Sequence, residues 1–125
     1  IMKKVFIFGY YGFKNIGDEA ILHSIVKILR EDDDEVEIKA LSYNVKYTEK
    51  YHDIMGVSRN SLKDILDSIR KSDIVISGGG TLLQDKTSSR SLYYYLALII
   101  ISKLFGKKVV FFCNGSIKFF KVIPD

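Results

Sequence analysis

A glycine-rich loop between a predicted strand and a predicted helix constrains this chain more than any other feature. The apolar run 5–8 leads directly into the segment 9–19, and a helical pattern begins at Ala20. A loop of this kind leaves the first backbone N–H groups of the helix at the mouth of a sheet. It is therefore where a ligand is expected, and it indicates an α/β fold.

A second loop of the same kind follows another apolar run. Residues 77–81, with three consecutive glycines, come directly after the run 74–76. If the chain winds outward through three strands and then crosses back, its first and fourth strands become neighbours. Ligands bind where the winding of such a sheet reverses, so we expect both loops to line one crevice.

Strands and helices alternate along the sequence. Apolar runs predict strands at 3–8, 36–41, 74–77 and 108–113. Helical spacing of apolar residues predicts helices at 17–30, 62–71 and 90–105. Between 42 and 59 the pattern is weak: only a short strand at 54–57 is indicated, and His52 is interpreted as a loop residue. The order predicts a doubly wound, mainly parallel Rossmann-like sheet of about five strands with helices on both faces.

The composition limits the partners and the compartment. The 125 residues suffice for one domain, and the net charge of +4 comes from scattered basic residues, so no nucleic-acid partner is predicted. The acidic run 31–35 is interpreted as a solvated loop, and no metal site or cofactor is predicted. The single cysteine, Cys113, cannot form an internal disulfide, which favours a cytoplasmic location, including the inner face of the membrane.

The predicted helix at 90–105 is apolar almost all round. It is too short and too interrupted to be a transmembrane segment. It is either a core helix or a face that docks a second lobe, a membrane surface or a second copy. We expect self-association through the part between Leu92 and Phe105.

The glycine spacing excludes two common nucleotide sites. A dinucleotide fingerprint needs G-x-G-x-x-G, whereas the first loop has Gly9, Gly12 and Gly17, and no G-K-[ST] of a P-loop is present. Asp18 and Glu19 would oppose a phosphate at the start of the helix. They either cap the helix or hydrogen-bond a sugar or another neutral polyol, and Asp18 could also take a proton from an attacking hydroxyl.

The candidate site combines residues of both loops. Asp18 and Asp85 are the candidate catalytic residues, and Arg90 is a candidate anion anchor at the rim of the cleft. The candidate substrate-binding residues are Gly12, Asn15, Gly17, Asp18, Glu19, Gly79, Gly80, Thr81, Gln84, Asp85 and Arg90.

At these two loops the sequence resembles the polysaccharide pyruvyl transferase family. The similar stretches are 9–22, 73–85 and 87–95, and the resemblance extends from Lys3 to about Phe112. It is nearest to bacterial members that modify secondary cell-wall polysaccharide. The resemblance implies transfer of a pyruvyl group from phosphoenolpyruvate to two hydroxyls of one sugar, commonly N-acetylmannosamine, as a ketal. The implied acceptor is a cell-wall polysaccharide or a lipid-linked sugar.

The end of the chain departs from that family pattern. We assign residues 1–113 to one Rossmann-like domain and residues 114–125 to a C-terminal tail. The resemblance implies a two-lobed, GT-B-like architecture in which the second lobe carries the residues that act on phosphoenolpyruvate. The chain would then be an N-terminal half that is inactive alone. A non-catalytic sugar- or partner-binding module and half of a nucleotide-sugar glycosyltransferase stay open as alternatives.

Overall fold

The part of the chain that the structure describes forms one sheet of five parallel strands with a sixth, antiparallel strand at its edge. The computed structural model describes residues 3–78, 89–113 and 116–120. The strands are β1 (Lys4–Phe8), β2 (Glu37–Ser42), β3 (Met55–Ser58), β4 (Ile74–Gly78), β5 (Lys108–Cys113) and β6 (Ser116–Phe120). Their order is β3-β2-β1-β4-β5-β6, with β6 antiparallel to β5. The predicted doubly wound Rossmann-like sheet is confirmed.

Helices cover both faces of this sheet. They are α1 (Ile16–Asp32), α2 (Val45–His52), α3 (Leu62–Lys71) and α4 (Ser89–Leu104). Leu22 and Ile25 of α1 pack against one face of β1 and β4. Ile65 of α3 and Leu98 and Ile99 of α4 pack against the other face. The winding therefore reverses between β1 and β4, which makes these strands the centre of the fold.

The first and fourth strands are neighbours, as the sequence predicted. Phe8 of β1 lies in register with Ser77 of β4, and Ile7 also pairs with Ala40 of β2. The side chains of Phe6 and Ile7 are fully buried because helices cover both faces of β1. The carboxyl ends of these parallel strands meet at one edge of the sheet, where both glycine-rich loops begin.

Two elements were not predicted. Helix α2 lies in the weakly patterned segment 42–59, and Asn44 caps it by accepting a hydrogen bond from the backbone N–H of Tyr47 at 3.1 Å. Its buried residues, Thr48 and His52, are polar, so it shows no apolar periodicity. Strand β6 comes from the segment assigned to a C-terminal tail, and that domain boundary stays a prediction.

Helix α4 carries an exposed apolar stripe. Leu92, Leu96, Ile100 and Leu104 follow one another at four-residue intervals and are all exposed, Leu104 to 78%. Residues at this spacing lie on one side of a helix, so the stripe would suit a docking partner. Self-association through it stays a prediction. Within the described residues, no helix combines the length and the apolar character that crossing a membrane requires.

Candidate functional site

The ends of β1 and β4 touch at the carboxyl edge of the sheet. A Cβ atom on Gly9 would lie only 2.3 Å from the carbonyl oxygen of Gly78. The fully buried Tyr11 donates a hydrogen bond to that same carbonyl, and Tyr95 of α4 donates one to the Gly9 carbonyl at 3.2 Å. The predicted meeting of the two loops is thus confirmed at the described residues Gly9 and Gly78.

The remainder of the second loop falls where the structure gives no description. Five of the predicted site residues lie outside the described residues: Gly79, Gly80, Thr81, Gln84 and Asp85. Arg90 is exposed in the first turn of α4. The roles assigned to these six residues stay predictions.

Asn15 is the residue that caps α1. Its side-chain oxygen accepts hydrogen bonds from the backbone N–H groups of Gly17 at 3.0 Å and of Asp18 at 3.3 Å. The capping that the sequence left open for Asp18 and Glu19 is thus performed by Asn15. Two of the N–H groups at the helix start are already occupied, which makes this end of α1 a poor phosphate cradle.

Asp18 is buried next to the two tyrosines at the meeting point of the loops. It is 3% exposed although it is a carboxylate. Burial chiefly, and then the Asp18 charge, raise the pKa of Tyr11 well above its usual range. Burial also raises the pKa of Tyr95, and Asp18 contributes to that increase. The charge of Asp18 thus acts on two phenols that stay protonated near neutral pH.

The raised pKa of Tyr11 predicts a loss of stability in alkali. Above about pH 10 the unfolded chain releases the Tyr11 proton while the folded chain retains it, so the free energy of unfolding falls as pH rises. We expect Tyr11→Phe to make this decline shallower in urea titrations from about pH 8 to about pH 11. Tyr93→Phe, at a 69% exposed position, is the matched control. Identical slopes for Tyr11→Phe and the parent chain would contradict the prediction.

Glu19 is buried and bonded at both carboxylate oxygens. Oε2 accepts the backbone N–H of Gly12 at 3.0 Å, and Oε1 lies 2.8 Å from Nε2 of His52. Gly12 has φ +88°, and a Cβ there would lie 2.5 Å from Ser42 Oγ, so the turn requires glycine. Glu19 therefore shapes the first loop, and its predicted contact with a sugar stays a prediction.

His52 is a site residue that the sequence interpretation missed. It was interpreted as a loop residue, but it ends α2 and is only 5% exposed. Its Nδ1 has no hydrogen-bond partner among the described residues. Its link to Glu19 joins residues 33 positions apart, which no local pattern could show. His23 of α1, by contrast, is exposed.

Aromatic side chains and one arginine form a stack along the same edge. The rings of Phe13 and Tyr43 lie 4.5 Å apart and nearly parallel. The guanidinium carbon of Arg59 is 5.5 Å from the ring centre of Phe13 and 5.4 Å from that of Tyr94. We refer to Tyr43, Phe13, Arg59 and Tyr94 as the aromatic ledge. It lies beside the loop that holds Asp18.

Two openings among the described residues lie at different places relative to this edge. A groove of about 360 Å³ between α1 and α2 is lined by Lys14, Glu19 and Tyr47, among others. A cavity of about 210 Å³ at the opposite, amino edge of the sheet is lined by Lys4 and Lys71, among others. The described part of the chain brings no three His, Cys, Asp or Glu residues together as a metal site. The meeting point of the two loops remains the best candidate for chemistry.

Comparison with known proteins gives one match. A family model described as polysaccharide pyruvyl transferase matches residues 15–120. No curated protein and no solved structure matches the chain. The matched region includes Asp18, Glu19 and His52 as well as the aromatic residues of α4, and it begins after β1.

Proposed function

The chain belongs to the polysaccharide pyruvyl transferase family, and we propose from this premise that its carboxyl edge forms the acceptor-sugar side of a cleft. The donor is phosphoenolpyruvate. Two hydroxyls of one sugar bond to its central carbon as their O–H bonds break and its C–O bond to phosphate breaks. One of the two protons ends on the methylene carbon, and the other leaves with the phosphate. The product is a pyruvate ketal on a cell-wall polysaccharide or a lipid-linked sugar.

The observation that carries this proposal is the buried Asp18 at the meeting point of β1 and β4. A carboxylate at that position can accept the proton of an attacking sugar hydroxyl. The glycines at both strand ends are packed against protein atoms and let β1 and β4 approach each other closely beside Asp18. The phenols Tyr11 and Tyr95 keep their protons near neutral pH because burial raises their pKa values, so we assign the role of proton acceptor to the carboxyl group of Asp18.

The charge at this edge supports a sugar hydroxyl as the ligand rather than a phosphate. Asn15 already occupies two N–H groups at the start of α1. Asp18 and Glu19 place two carboxylates in the first turn of the same helix, where a phosphate would otherwise be favoured. We propose that Gln84 and Asp85 complete the sugar contacts from the second loop. The residues that bind phosphoenolpyruvate are assigned to a second lobe, and the reaction to the cytoplasm.

Activity reconstituted from two pieces tests this assignment. We expect the chain, mixed with the C-terminal lobe of a family member, to form ketal-linked pyruvate on an N-acetylmannosamine-containing acceptor. Asp18→Asn should lower the rate by roughly 10²–10⁴-fold, because the hydroxyl proton loses its acceptor. Mass spectrometry of the acceptor measures the product. Asp32→Asn, at an exposed position at the end of the same helix, is the matched control.

The outcomes separate the alternatives. Equal rates for Asp18→Asn and Asp32→Asn would show that Asp18 is not the proton acceptor. Calorimetry that detects nucleotide sugars as the sole ligands would favour half of a glycosyltransferase. Sugar binding without any reconstituted transfer would favour a non-catalytic binding module.

A further inference from the structure

Arg59 is fixed in place by contacts of both its backbone and its side chain. Its backbone N–H donates to the carbonyl of Ser42 at 3.1 Å, and its carbonyl accepts from the Tyr94 hydroxyl at 3.3 Å. Its guanidinium group lies against the rings of Phe13 and Tyr94. Because these contacts already restrict the Arg59 side chain, it loses less conformational freedom when it binds a ligand.

The charge of Arg59 is not neutralised by an ion pair within the described residues. The ion pairs that the structure shows within those residues include Lys4, Arg70 and Lys71 but not Arg59. A guanidinium group carries five N–H donors in one plane, a geometry that matches the oxygens of a carboxylate or a phosphate. Arg59 therefore presents unneutralised donors at the same edge of the sheet as the glycine-rich loops.

Two rings of the aromatic ledge are open to solvent. Tyr43 is 61% exposed and Phe13 is 44% exposed, although both are large aromatic residues. Their stacking fixes the two rings relative to each other and leaves surface for a ligand. A cation beside exposed aromatic rings suits a ligand that has both a negative charge and a flat apolar face, as the C–H face of a pyranose does.

We propose that the aromatic ledge binds an anionic sugar, with the phosphate or carboxylate on Arg59 and the sugar ring against Tyr43 and Phe13. This site is separate from Asp18 and does not depend on pyruvyl transfer. It would hold a charged part of a ligand at the rim while uncharged hydroxyls lie deeper in the cleft.

Binding of simple probes to the chain tests the ledge. The probes are glucose 1-phosphate, glucuronate, inorganic phosphate and uncharged methyl glucoside, followed by NMR of the arginine Nε–H and tyrosine ring signals. We expect a charged sugar to shift the signals of Arg59 and Tyr43 and to bind about tenfold more tightly than methyl glucoside. A stronger effect of glucose 1-phosphate identifies a phosphate ligand, and a stronger effect of glucuronate identifies a carboxylate.

Variants distinguish the ledge from general charge attraction. Arg59→Gln should weaken binding of the charged sugar by about tenfold. Arg70→Gln removes the same charge from an exposed pair with Asp67 and should leave that binding unchanged. Tyr43→Ala should weaken the binding of glucose 1-phosphate but leave the binding of inorganic phosphate unchanged. Arg59→Lys should keep part of the affinity, and thermal melts verify that each variant folds.

Three results would overturn the proposal. They are the absence of any shift with millimolar charged sugar, equal losses for Arg59→Gln and Arg70→Gln, and equal effects of Tyr43→Ala on glucose 1-phosphate and inorganic phosphate. Because binding is read without any transfer reaction, these results leave the pyruvyl transfer proposal untouched. The outcome of the transfer experiment with Asp18→Asn, whether it supports or contradicts the role of Asp18, likewise does not bear on binding at the aromatic ledge.

Discussion

Glu19→Ala is expected to lower the free energy of unfolding by about 2–6 kcal/mol, because it leaves two buried polar groups without their hydrogen-bond partner, at about 1–3 kcal/mol each. The change leaves the Gly12 N–H and Nε2 of His52 without the carboxylate oxygens they now contact. Both groups are buried, so water cannot replace those oxygens without opening the structure. Urea unfolding followed by circular dichroism measures the loss.

A control in the same helix separates this effect from the removal of a charge alone. Glu31 is exposed in the last turn of α1, and Glu31→Ala should change the unfolding free energy by no more than about 0.5 kcal/mol. In a double-mutant cycle, His52→Ala should cost much less once Glu19 is already alanine. A loss below about 1 kcal/mol for Glu19→Ala would mean that Glu19 does not hold the first loop.

Most of the sheet could be predicted because its signals are local. The run 5–8 is apolar at each position, and a continuous apolar run is the sequence pattern of a strand that is buried on both faces. The helix predicted at 62–71 begins where Ser61 caps α3, and the Ser61 hydroxyl accepts the N–H of Asp64 at 3.4 Å. A chain that winds outward through three strands and then crosses back has its first and fourth strands as neighbours, as is found here. Local pattern and winding rules together were sufficient for the order from β1 to β5.

Helix α2 could not be predicted because its stability comes from distant residues. Its buried positions hold Thr48 and His52, so it lacks the apolar stripe by which a helix is recognised. Thr48 hydrogen-bonds Ser42 at 2.6 Å, and His52 bonds Glu19 of α1. These polar contacts exist only after the sheet has formed and brought α1 and α2 together.

The candidate site shows the same division between local and distant signals. Asp18 could be selected from the sequence because its position at the start of α1, directly after the first glycine-rich loop, is a local feature. Its neighbours could not, because Tyr11 reaches Gly78 across 67 residues and Tyr95 reaches Gly9 across 86. The stacking of Arg59 on Phe13 likewise depends on the loops after β1 and β3 lying side by side. The polar residues near the glycine-rich loops can be recognised from the local sequence. The contacts of the two tyrosines and of the aromatic ledge depend on tertiary packing and cannot.

Gly9→Ala is expected to lower the free energy of unfolding by about 3 kcal/mol, because the new methyl group has no room. Its Cβ would lie 2.3 Å from the carbonyl oxygen of Gly78 and 2.6 Å from the ring of Tyr11. Neither neighbour can move freely: Gly78 belongs to the central strand β4, and Tyr11 is fully buried. Urea unfolding gives the loss, and NMR spectra would show β1 and β4 moving apart at this edge.

The same substitution at Gly17 should have the opposite sign. A Cβ there would meet only Asn15 Oδ1, at 3.4 Å, which is an ordinary contact. Since Gly17 lies in the first turn of α1, alanine restricts the unfolded chain without straining the folded one, and we expect a gain of about 0.4–1 kcal/mol. Losses of equal size at both positions would mean that the close approach of β1 and β4 is not what requires glycine. A loss at Gly9 with a gain at Gly17 would assign the first glycine to strand contact and leave the third available for a ligand.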